Sequence, residues 1–205
     1  MSDAILEERG FRLALDPDVY VPAEDTWLLV ESIPRRPMRG DAIDMGTGTG
    51  AAAIALARAG ARRVVAADVN PRAARLARAN AAANGVADRV EAVVSDLWAA
   101  FPERPLFARA TFNAPYLPST EEERLAGDID RAFHGGDEGV EVALAFLEGL
   151  APRLAPGGDA FVVLSTRGNL ARFEARAEAL GFAARTVAEE RFFFEAIRVL
   201  RLSSS

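Results

Sequence analysis

The 205-residue sequence contains no cysteine and no lysine, and it has a single histidine, His134. The absence of cysteine excludes disulfides, thiolate nucleophiles and cysteine-ligated zinc, and it suits a reducing compartment. One histidine cannot form a metal-binding cluster, and no second histidine is available for a catalytic triad. We therefore expect no metal site, and we assign His134 a structural role in a loop.

The basic charge comes from 24 arginines that are scattered along the chain, and the formal net charge is -6. No basic block marks a nucleic-acid surface, so binding of nucleic acid is not favoured, although an acidic protein can carry a local basic patch. No apolar run approaches the length of a membrane span, and the charged N-terminus lacks the apolar core of a signal peptide. These features predict a cytoplasmic protein without a membrane partner.

Short apolar runs alternate with helical segments, which predicts one α/β domain with a parallel, doubly wound sheet. Residues 1–40 are interpreted as a polar lead-in followed by a short helix that begins near Pro22, and residues 41–202 as the core. The last two strands are too close for an intervening helix, so they form a hairpin and the final strand is antiparallel. The irregular segment 117–137 is interpreted as a substrate loop.

Seven strands are predicted, at 42–45, 64–67, 90–94, 107–112, 161–164, 182–187 and 195–202. Four later helices are predicted. The first ends near residue 59, and the other three span 70–84, 138–154 and 169–180.

A glycine-rich turn, DMGTGTG, follows the first predicted core strand and contains Gly46, Gly48 and Gly50. Glycines here allow a ligand to approach the backbone closely at the start of a helix. With Ala51 the turn also fits the dinucleotide fingerprint, and a strand-to-helix turn without a ligand is the plain alternative. Asp68 ends the second strand, where a carboxylate can accept hydrogen bonds from both ribose hydroxyls of a nucleotide.

The turn after the third strand reads Ser95-Asp96-Leu97-Trp98. Asp96 can accept a hydrogen bond from an adenine amino group, with Leu97 or Trp98 against the ring. The alternative is a solvated turn followed by a core tryptophan.

The fourth strand leads into Asn113-Ala114-Pro115-Tyr116. Pro115 fixes the turn, so that the Asn113 side chain and a backbone carbonyl can face one point. Tyr116 can lie across a planar group. Two acceptors and a ring face suit an NH2 group on an amide or an aromatic base, for which a dehydrogenase has no use.

These motifs together resemble a class I S-adenosylmethionine-dependent methyltransferase. The stretch NAPY resembles the NPPY motif of amino-group N-methyltransferases. The stretch YVPAEDTWLL, from Tyr20 to Leu29, closely resembles a signature of the HemK family in its short, eukaryotic and archaeal branch. The stretch FHGGDEG at 133–139 matches that family's Gly-Gly-x-x-Gly turn. The resemblance covers roughly residues 18–202.

The resemblance implies a Rossmann-like fold with a seven-stranded, mostly parallel sheet, an antiparallel last strand and helices on both faces. It implies methylation of the glutamine in the GGQ motif of class 1 translation termination factors, with S-adenosylhomocysteine as product. Some members modify other protein side chains. Asn113, with the Pro115 region, would bind the target amide, and Tyr116 would pack on it. The implied cofactor-binding residues are Thr26, Asp44, Gly46, Gly48, Gly50, Asp68, Asp96, Leu97 and Asn113.

Two departures from the family pattern bear on the substrate. Ala114 replaces the usual first proline, which makes the turn less preordered and another substrate more plausible. The extra N-terminal helical domain of the longer bacterial branch has no counterpart here, so recognition is expected from residues 117–137, from the first 20 residues or from a partner. The short branch commonly works with a small zinc-binding activator protein.

Two alternative functions remain open at this point. The first is an N-methyltransferase that acts on a nucleic-acid base or on a small metabolite. The second is a nucleotide-binding protein without methyl transfer, or an NAD-dependent dehydrogenase, which would leave the motif NAPY unexplained.

Overall fold

A computed structural model of the chain describes residues 4–35, 38, 40–116 and 135–204. None of the helices in this part of the chain combines the length and the apolar character that crossing a bilayer requires. The strands are β1 Ile5–Glu8, β2 Phe11–Ala14, β3 Asp41–Met45, β4 Val64–Asp68, β5 Val90–Val94, β6 Phe107–Asn113, β7 Leu154–Ser165, β8 Phe182–Arg191 and β9 Ala196–Ser204. The helices are α1 Glu24–Ser32, α2 Ala51–Arg58, α3 Pro71–Ala83, α4 Glu141–Leu150 and α5 Leu170–Ala179.

Seven strands form one sheet in the order β5-β4-β3-β6-β7-β9-β8. The pairs from β5 through β7 are all parallel, and β9 is antiparallel to both of its neighbours, β7 and β8. This topology confirms the predicted seven-stranded, mostly parallel sheet with an antiparallel last strand.

Helices cover both faces of the sheet because successive strand residues point to opposite sides. In β7, Phe161 and Val163 join the apolar cluster that contains residues of α1, α2 and α3. Their neighbours Val162 and Leu164 join the cluster that contains residues of α4 and α5. The result is the three-layer arrangement predicted for a doubly wound fold.

The position of the site follows from the strand order. The chain runs outward from β3 through β4 to β5, and it then returns to form β6 on the other side of β3. Such a reversal opens a crevice at the carboxyl ends of the two central strands, where open α/β sheets bind their ligands. The glycine turn after β3 and Asn113 at the end of β6 flank this crevice.

The first 20 residues are more ordered than predicted, because β1 and β2 form an antiparallel hairpin. Arg9 and Gly10 make its two-residue turn with φ of 50° and 80°, a conformation that suits tight hairpins. Asn80 of α3 holds the hairpin in place: its Oδ1 accepts from the Ala14 N–H at 2.7 Å, and its Nδ2 donates to the Thr49 carbonyl at 2.9 Å. Sequence analysis described this segment only as a polar lead-in and did not predict the hairpin.

The predicted helix 138–154 is shorter in the structure and spans Glu141–Leu150. Residues before it form a turn in which the Gly135 carbonyl accepts from the Glu141 N–H at 2.8 Å. Beyond it, the Arg153 carbonyl accepts from the N–H groups of Leu106 and Phe107, so pairing with β6 begins before the sequence APGG. That sequence belongs to β7, where the pairing register with β6 shifts, and it does not end the helix.

Among the glycines of the site, Gly50 at the start of α2 lies closest to α3. Its φ is 87°, and a Cβ there would lie 2.9 Å from Cα and 3.0 Å from Cβ of Ala77. Gly181 has a similar φ of 81°, but a Cβ there would meet nothing within 4 Å. Alanine substitutions at Gly50 and Gly181 therefore separate the energetic cost of a left-handed backbone from the energetic cost of steric crowding.

We expect Gly181→Ala to lower the free energy of unfolding by about 1 kcal/mol, through backbone strain alone. Gly50→Ala should cost about 1–3 kcal/mol more, because α3 must move away from α2. Urea unfolding of both variants without ligand measures the difference. Equal losses would mean that the two helices are not held at the distance the structure shows.

Candidate active site

The carboxylate of Asp25 is the centre of the candidate site. It lies in the first turn of α1 and is buried, with 4% of its surface exposed. It accepts hydrogen bonds from the Thr26 N–H at 2.6 Å, the Tyr20 hydroxyl at 3.1 Å, the Tyr116 hydroxyl at 3.1 Å and Nδ2 of Asn113 at 3.0 Å. The positive end of the α1 dipole also favours a negative charge here. One carboxylate thus joins the lead-in, α1 and the end of β6.

Both tyrosines of this cluster remain protonated. Burial raises the pKa of Tyr20 and of Tyr116 well above the ordinary value, and the negative charge of Asp25 raises both further. Their hydroxyls therefore donate to Asp25 across the whole physiological pH range. Tyr116 is half-buried and packs against the apolar cluster that contains residues of α1 and α2.

Asn113 has one satisfied end and one unsatisfied end. A carboxylate only accepts hydrogen bonds, so the NH2 end of Asn113 must face Asp25. Its Oδ1 faces the other way, is buried, and has no hydrogen-bond partner among the described residues. A buried acceptor without a donor is unfavourable by about 1–3 kcal/mol. A ligand N–H that reaches this oxygen removes that penalty.

The residues that follow Asn113 are tightly packed. Ala114 is 2% exposed and belongs to the apolar cluster between the sheet, α4 and α5. A Cβ on Gly135 would lie 2.6 Å from the Pro115 carbonyl oxygen, so only glycine fits against this turn. The predicted Gly-Gly-x-x-Gly turn thus packs on the predicted amide site. His134 and residues 117–134 of the predicted substrate loop lie outside the described residues.

Asp44 is buried beneath the glycine turn and fixes the position of the turn through hydrogen bonds. One of its oxygens accepts from the Thr47 hydroxyl at 2.7 Å and from the Ala53 N–H at 3.1 Å, and the other accepts from the Thr111 hydroxyl at 2.8 Å. Burial raises the pKa of Asp44 to about 6, the three hydrogen bonds oppose this, and the charge of Asp68 adds to it. With both oxygens engaged by the protein, Asp44 joins β3, α2 and β6 at the base of the crevice.

Asp68 lies closer to the surface and holds the rim of the same turn. Its carboxylate accepts from the N–H groups of Gly48 and Asn70, both at 2.9 Å. Burial raises its pKa, and the backbone hydrogen bonds oppose the shift. A Cβ on Gly48 would meet only the Tyr20 carbonyl, at 4.0 Å. Because a carboxylate has about four acceptor positions, Asp68 can also accept from ribose hydroxyls beside this open glycine.

The turn after β5 is adjacent to Asp68, whose carbonyl accepts from the Ser95 N–H at 2.9 Å. Asp96 is exposed, and Leu97 is half-buried with a φ of 42°. Trp98 is a core residue, because its Nε1 donates to the Phe146 carbonyl at 2.8 Å and its ring stacks on Phe146. Asp96 and Leu97 therefore stay candidates for adenine, and Trp98 does not.

The structure places Thr26 next to Asn113 at the end of β6, since Nδ2 of Asn113 lies 3.4 Å from the Thr26 hydroxyl. Gly46 is also close to Asn113, because a Cβ on Gly46 would lie 4.0 Å from the Asn113 carbonyl oxygen. Sequence reasoning assigned no site role to Asp25 or Tyr20. Both belong to the stretch YVPAEDTWLL, and an acidic residue next to Thr26 was the available signal.

Comparisons with known proteins identify relatives that match most of the chain. The family model for ribosomal protein L11 methyltransferase (PrmA) matches residues 28–104. A protein of Methanocaldococcus jannaschii named "Putative protein N5-glutamine methyltransferase" is 34% identical over 196 residues, which are 96% of this chain and 97% of that protein. The release factor glutamine methyltransferase of Cereibacter sphaeroides is 35% identical over 155 residues, which are 73% of this chain and 55% of that protein. The chain therefore spans nearly all of the archaeal relative and about half of the bacterial one.

Among solved structures, the E. cuniculi Mtq2–Trm112 complex has a similar fold. That complex is responsible for the methylation of the eRF1 translation termination factor. The TM-score is 0.70 at 23% identity, and the match covers 92% of this chain and 99% of that chain. A likeness at this level of identity establishes the shared fold.

The raised pKa of Asp44 predicts a pH dependence of stability. The folded value of about 6 lies above the ordinary value of 3.8, so folding favours the protonated form. The stabilisation is complete below about pH 4 and is lost as the pH rises to about 6. Relative to Asp44→Asn, the wild type should lose about 2 kcal/mol between pH 4 and pH 7, measured by urea unfolding.

Asp44→Asn is a suitable reference because it can keep the shape of the network. Its amide NH2 can donate to the Thr111 hydroxyl, which can turn toward the Ile43 carbonyl at 3.5 Å. Parallel pH profiles for the two proteins would contradict the raised pKa.

Proposed function

The chain belongs to the HemK family of protein N5-glutamine methyltransferases, in its short branch, and we propose that it methylates the side-chain amide of a glutamine in a translation termination factor. The methyl donor in this proposal is S-adenosylmethionine. The observation that carries it is the unpaired Oδ1 of Asn113, a buried acceptor that an amide N–H would satisfy. Family membership favours methyl transfer over the dehydrogenase alternative, which assigns no role to Asn113.

The residues of the crevice fit the cofactor. When bound, S-adenosylmethionine would supply a methyl group from a positively charged sulfur, which would keep the electron pair of the methyl–sulfur bond. Asp68 would accept hydrogen bonds from the ribose hydroxyls, next to the open Gly48. Asp96 and Leu97, on the neighbouring strand end, would bind the adenine. The methionine end would lie toward Thr26, Gly46 and Gly50, above Asp44.

Asn113 would orient the target amide. An amide nitrogen is a weak nucleophile because its lone pair is delocalised, so orientation matters more than a strong base. Oδ1 of Asn113 would accept one N–H of the glutamine amide, with a neighbouring backbone carbonyl near Pro115 accepting the other. These acceptors would also support the positive charge that develops on nitrogen. The nitrogen gains the methyl group, and one of its protons leaves to water after transfer.

Asp25 would act through Asn113 and Tyr116. Its carboxylate accepts from the NH2 end of Asn113 at 3.0 Å, which keeps Oδ1 turned away from Asp25. It also holds the Tyr116 hydroxyl at 3.1 Å, so the ring can define the plane of the amide. The lone pairs of Asp25 make the NH2 end of Asn113 more electron-rich, and this strengthens Oδ1 as an acceptor.

We extend the proposal to a partner protein. One solved structure with this fold, the E. cuniculi Mtq2–Trm112 structure, is a complex of two proteins. The resemblance of the sequence to the short HemK branch implies a small zinc-binding activator. Methylation assays should therefore be run with and without such an activator.

Asn113→Ala should remove the acceptor and leave the other residues assigned to the cofactor in place. We expect kcat to fall by about 10²–10³-fold, by analogy with removal of a single charge-stabilising group, while the affinity for S-adenosylmethionine changes little. The measurement is transfer of a labelled methyl group to a GGQ-containing termination factor, with mass spectrometry to locate the label. Near-normal turnover by the variant would refute the role of Asn113. No label with the wild type, despite cofactor binding and an added activator, would refute the proposed substrate.

Asp25→Asn should disturb the same step indirectly. The new NH2 group would face donors from Tyr20, Tyr116 and Asn113, so Asn113 should turn and misplace Oδ1. We expect kcat to fall by about 10²-fold with cofactor affinity near that of the wild type. Glu24→Gln is the matched control, since Glu24 is the exposed neighbour in the same helical turn. Equal activity of the two variants would mean that Asp25 has no positioning role.

A further inference from the structure

The four-residue turn between β8 and β9 begins with three consecutive phenylalanines, Phe192, Phe193 and Phe194, and ends with Glu195. Phe193 is 92% exposed and Phe194 is 88% exposed, the highest values among the exposed large apolar residues of the described chain. Isolated exposed apolar residues are common, but a cluster of them marks a contact surface. We call these three residues the phenylalanine tip.

The phenylalanine tip is ordered, and the fold does not require its aromatic rings. The Phe192 N–H donates to the Glu195 carbonyl at 2.7 Å, which closes a tight turn, and Arg191 pairs with Ala196 at its base. The rings of Phe193 and Phe194 meet edge to face with centroids 4.6 Å apart. Tight turns favour glycine, asparagine, aspartate and proline for conformational reasons, so phenylalanine brings no such advantage here.

The phenylalanine tip lies at the same edge of the sheet as the amide site. Because β8 is antiparallel to β9 and β9 is antiparallel to β7, β8 runs parallel to β6 and ends at its carboxyl edge. The base of the turn is bound to the end of β7: the Ser165 hydroxyl donates to Glu195 at 2.6 Å, and the Thr166 N–H donates to the Ala196 carbonyl at 2.9 Å. The charge of Glu195 also contributes to the raised pKa of Tyr116, which places the turn near the site.

The strand register gives the separation. Asn113 pairs with Val163 on β7, and Ser165, two residues further on, pairs with Ile197 on β9. Glu195 lies two residues beyond Ile197. Two strand spacings of about 4.8 Å and four residues at about 3.3 Å place Glu195 roughly 16 Å from Asn113. An extended polypeptide covers that distance in about five residues.

We propose that the phenylalanine tip is a docking element for the folded protein substrate, which it contacts through an apolar patch close to the target glutamine. This inference rests on the proposed function, and it assigns substrate recognition to a segment outside the methyl-transfer site. The aromatic side chains would be buried against the substrate while its glutamine reaches Asn113. Aromatic anchors of this kind dominate the binding energy of protein interfaces.

The charge around the phenylalanine tip favours a protein partner over a membrane surface. Residues 189–195 contain three glutamates and one arginine. Arg191 is engaged by Glu189 at 2.6 Å, and Glu189 is also paired with Arg198. Anionic lipid attracts basic segments and would repel this acidic rim. A patch that combines apolar and basic side chains on the substrate would complement it.

The test is the double variant Phe193→Ser/Phe194→Ser, with Val187→Ser as the matched control. Val187 is 46% exposed and lies in β8, in the same hairpin but outside the phenylalanine tip. Initial methylation rates are measured with the folded termination factor and with a seven-residue peptide centred on its glutamine. The peptide extends only about 10 Å on either side of the glutamine and cannot reach the tip. We expect the double variant to raise KM for the folded factor by about ten-fold or more, with kcat, peptide methylation and cofactor affinity unchanged.

Each other outcome has a defined meaning. An unchanged KM for the folded factor, or an equal loss with the peptide, would overturn the docking role while leaving the proposed function intact. Absence of methylation by the wild type would instead overturn the proposed function. Sedimentation of the wild type and the double variant tests a second copy as the occupant: a wild-type dimer that becomes a monomer would overturn the proposal. Binding of the wild type, but not the double variant, to vesicles containing anionic lipid would also overturn it.

Discussion

A buried carboxylate needs hydrogen-bond donors, and in this protein Asp25 obtains them from three separate parts of the chain. The lead-in contributes Tyr20, α1 contributes the Thr26 N–H, and the end of β6 contributes Asn113 and Tyr116. The donors must converge because an unpaired charge at this depth would be strongly destabilising. The same convergence turns Oδ1 of Asn113 away from the cluster. The most specific feature of the site is thus a by-product of satisfying Asp25.

Three aspartates at the carboxyl edge differ in depth, and their depth sets what each can do. Asp25 is surrounded by donors and organises side chains. Asp44 is fully engaged below the glycine turn, and burial raises its pKa to about 6. Asp68, nearer the surface, binds the rim of the same turn and retains acceptor positions for a ligand. Depth therefore separates the carboxylates that shape the site from the one suited to contact a nucleotide.

The site is also joined to the far end of the sheet. Strands β6, β7 and β9 are adjacent, so the Asn113 turn, Ser165 and the turn before β9 share one edge. That edge carries polar groups at the crevice and exposed phenylalanines beyond it. If the crevice and the phenylalanine tip bind one substrate, the sheet sets the distance between the reacting glutamine and its docking contact. The antiparallel insertion of β9 is what brings the second turn to this edge.

Sequence alone determined the elements whose cause is local. Alternating apolar runs and helical segments predicted the seven strands, and the resemblance of YVPAEDTWLL and NAPY to known motifs indicated the family. Local patterns could not show the N-terminal hairpin, which is anchored by Asn80 from a distant helix. They also could not show that Trp98 is a core residue or that Asp25 accepts hydrogen bonds from four different residues. Those facts depend on which strand ends become neighbours, and only the order of strands in the folded sheet decides that.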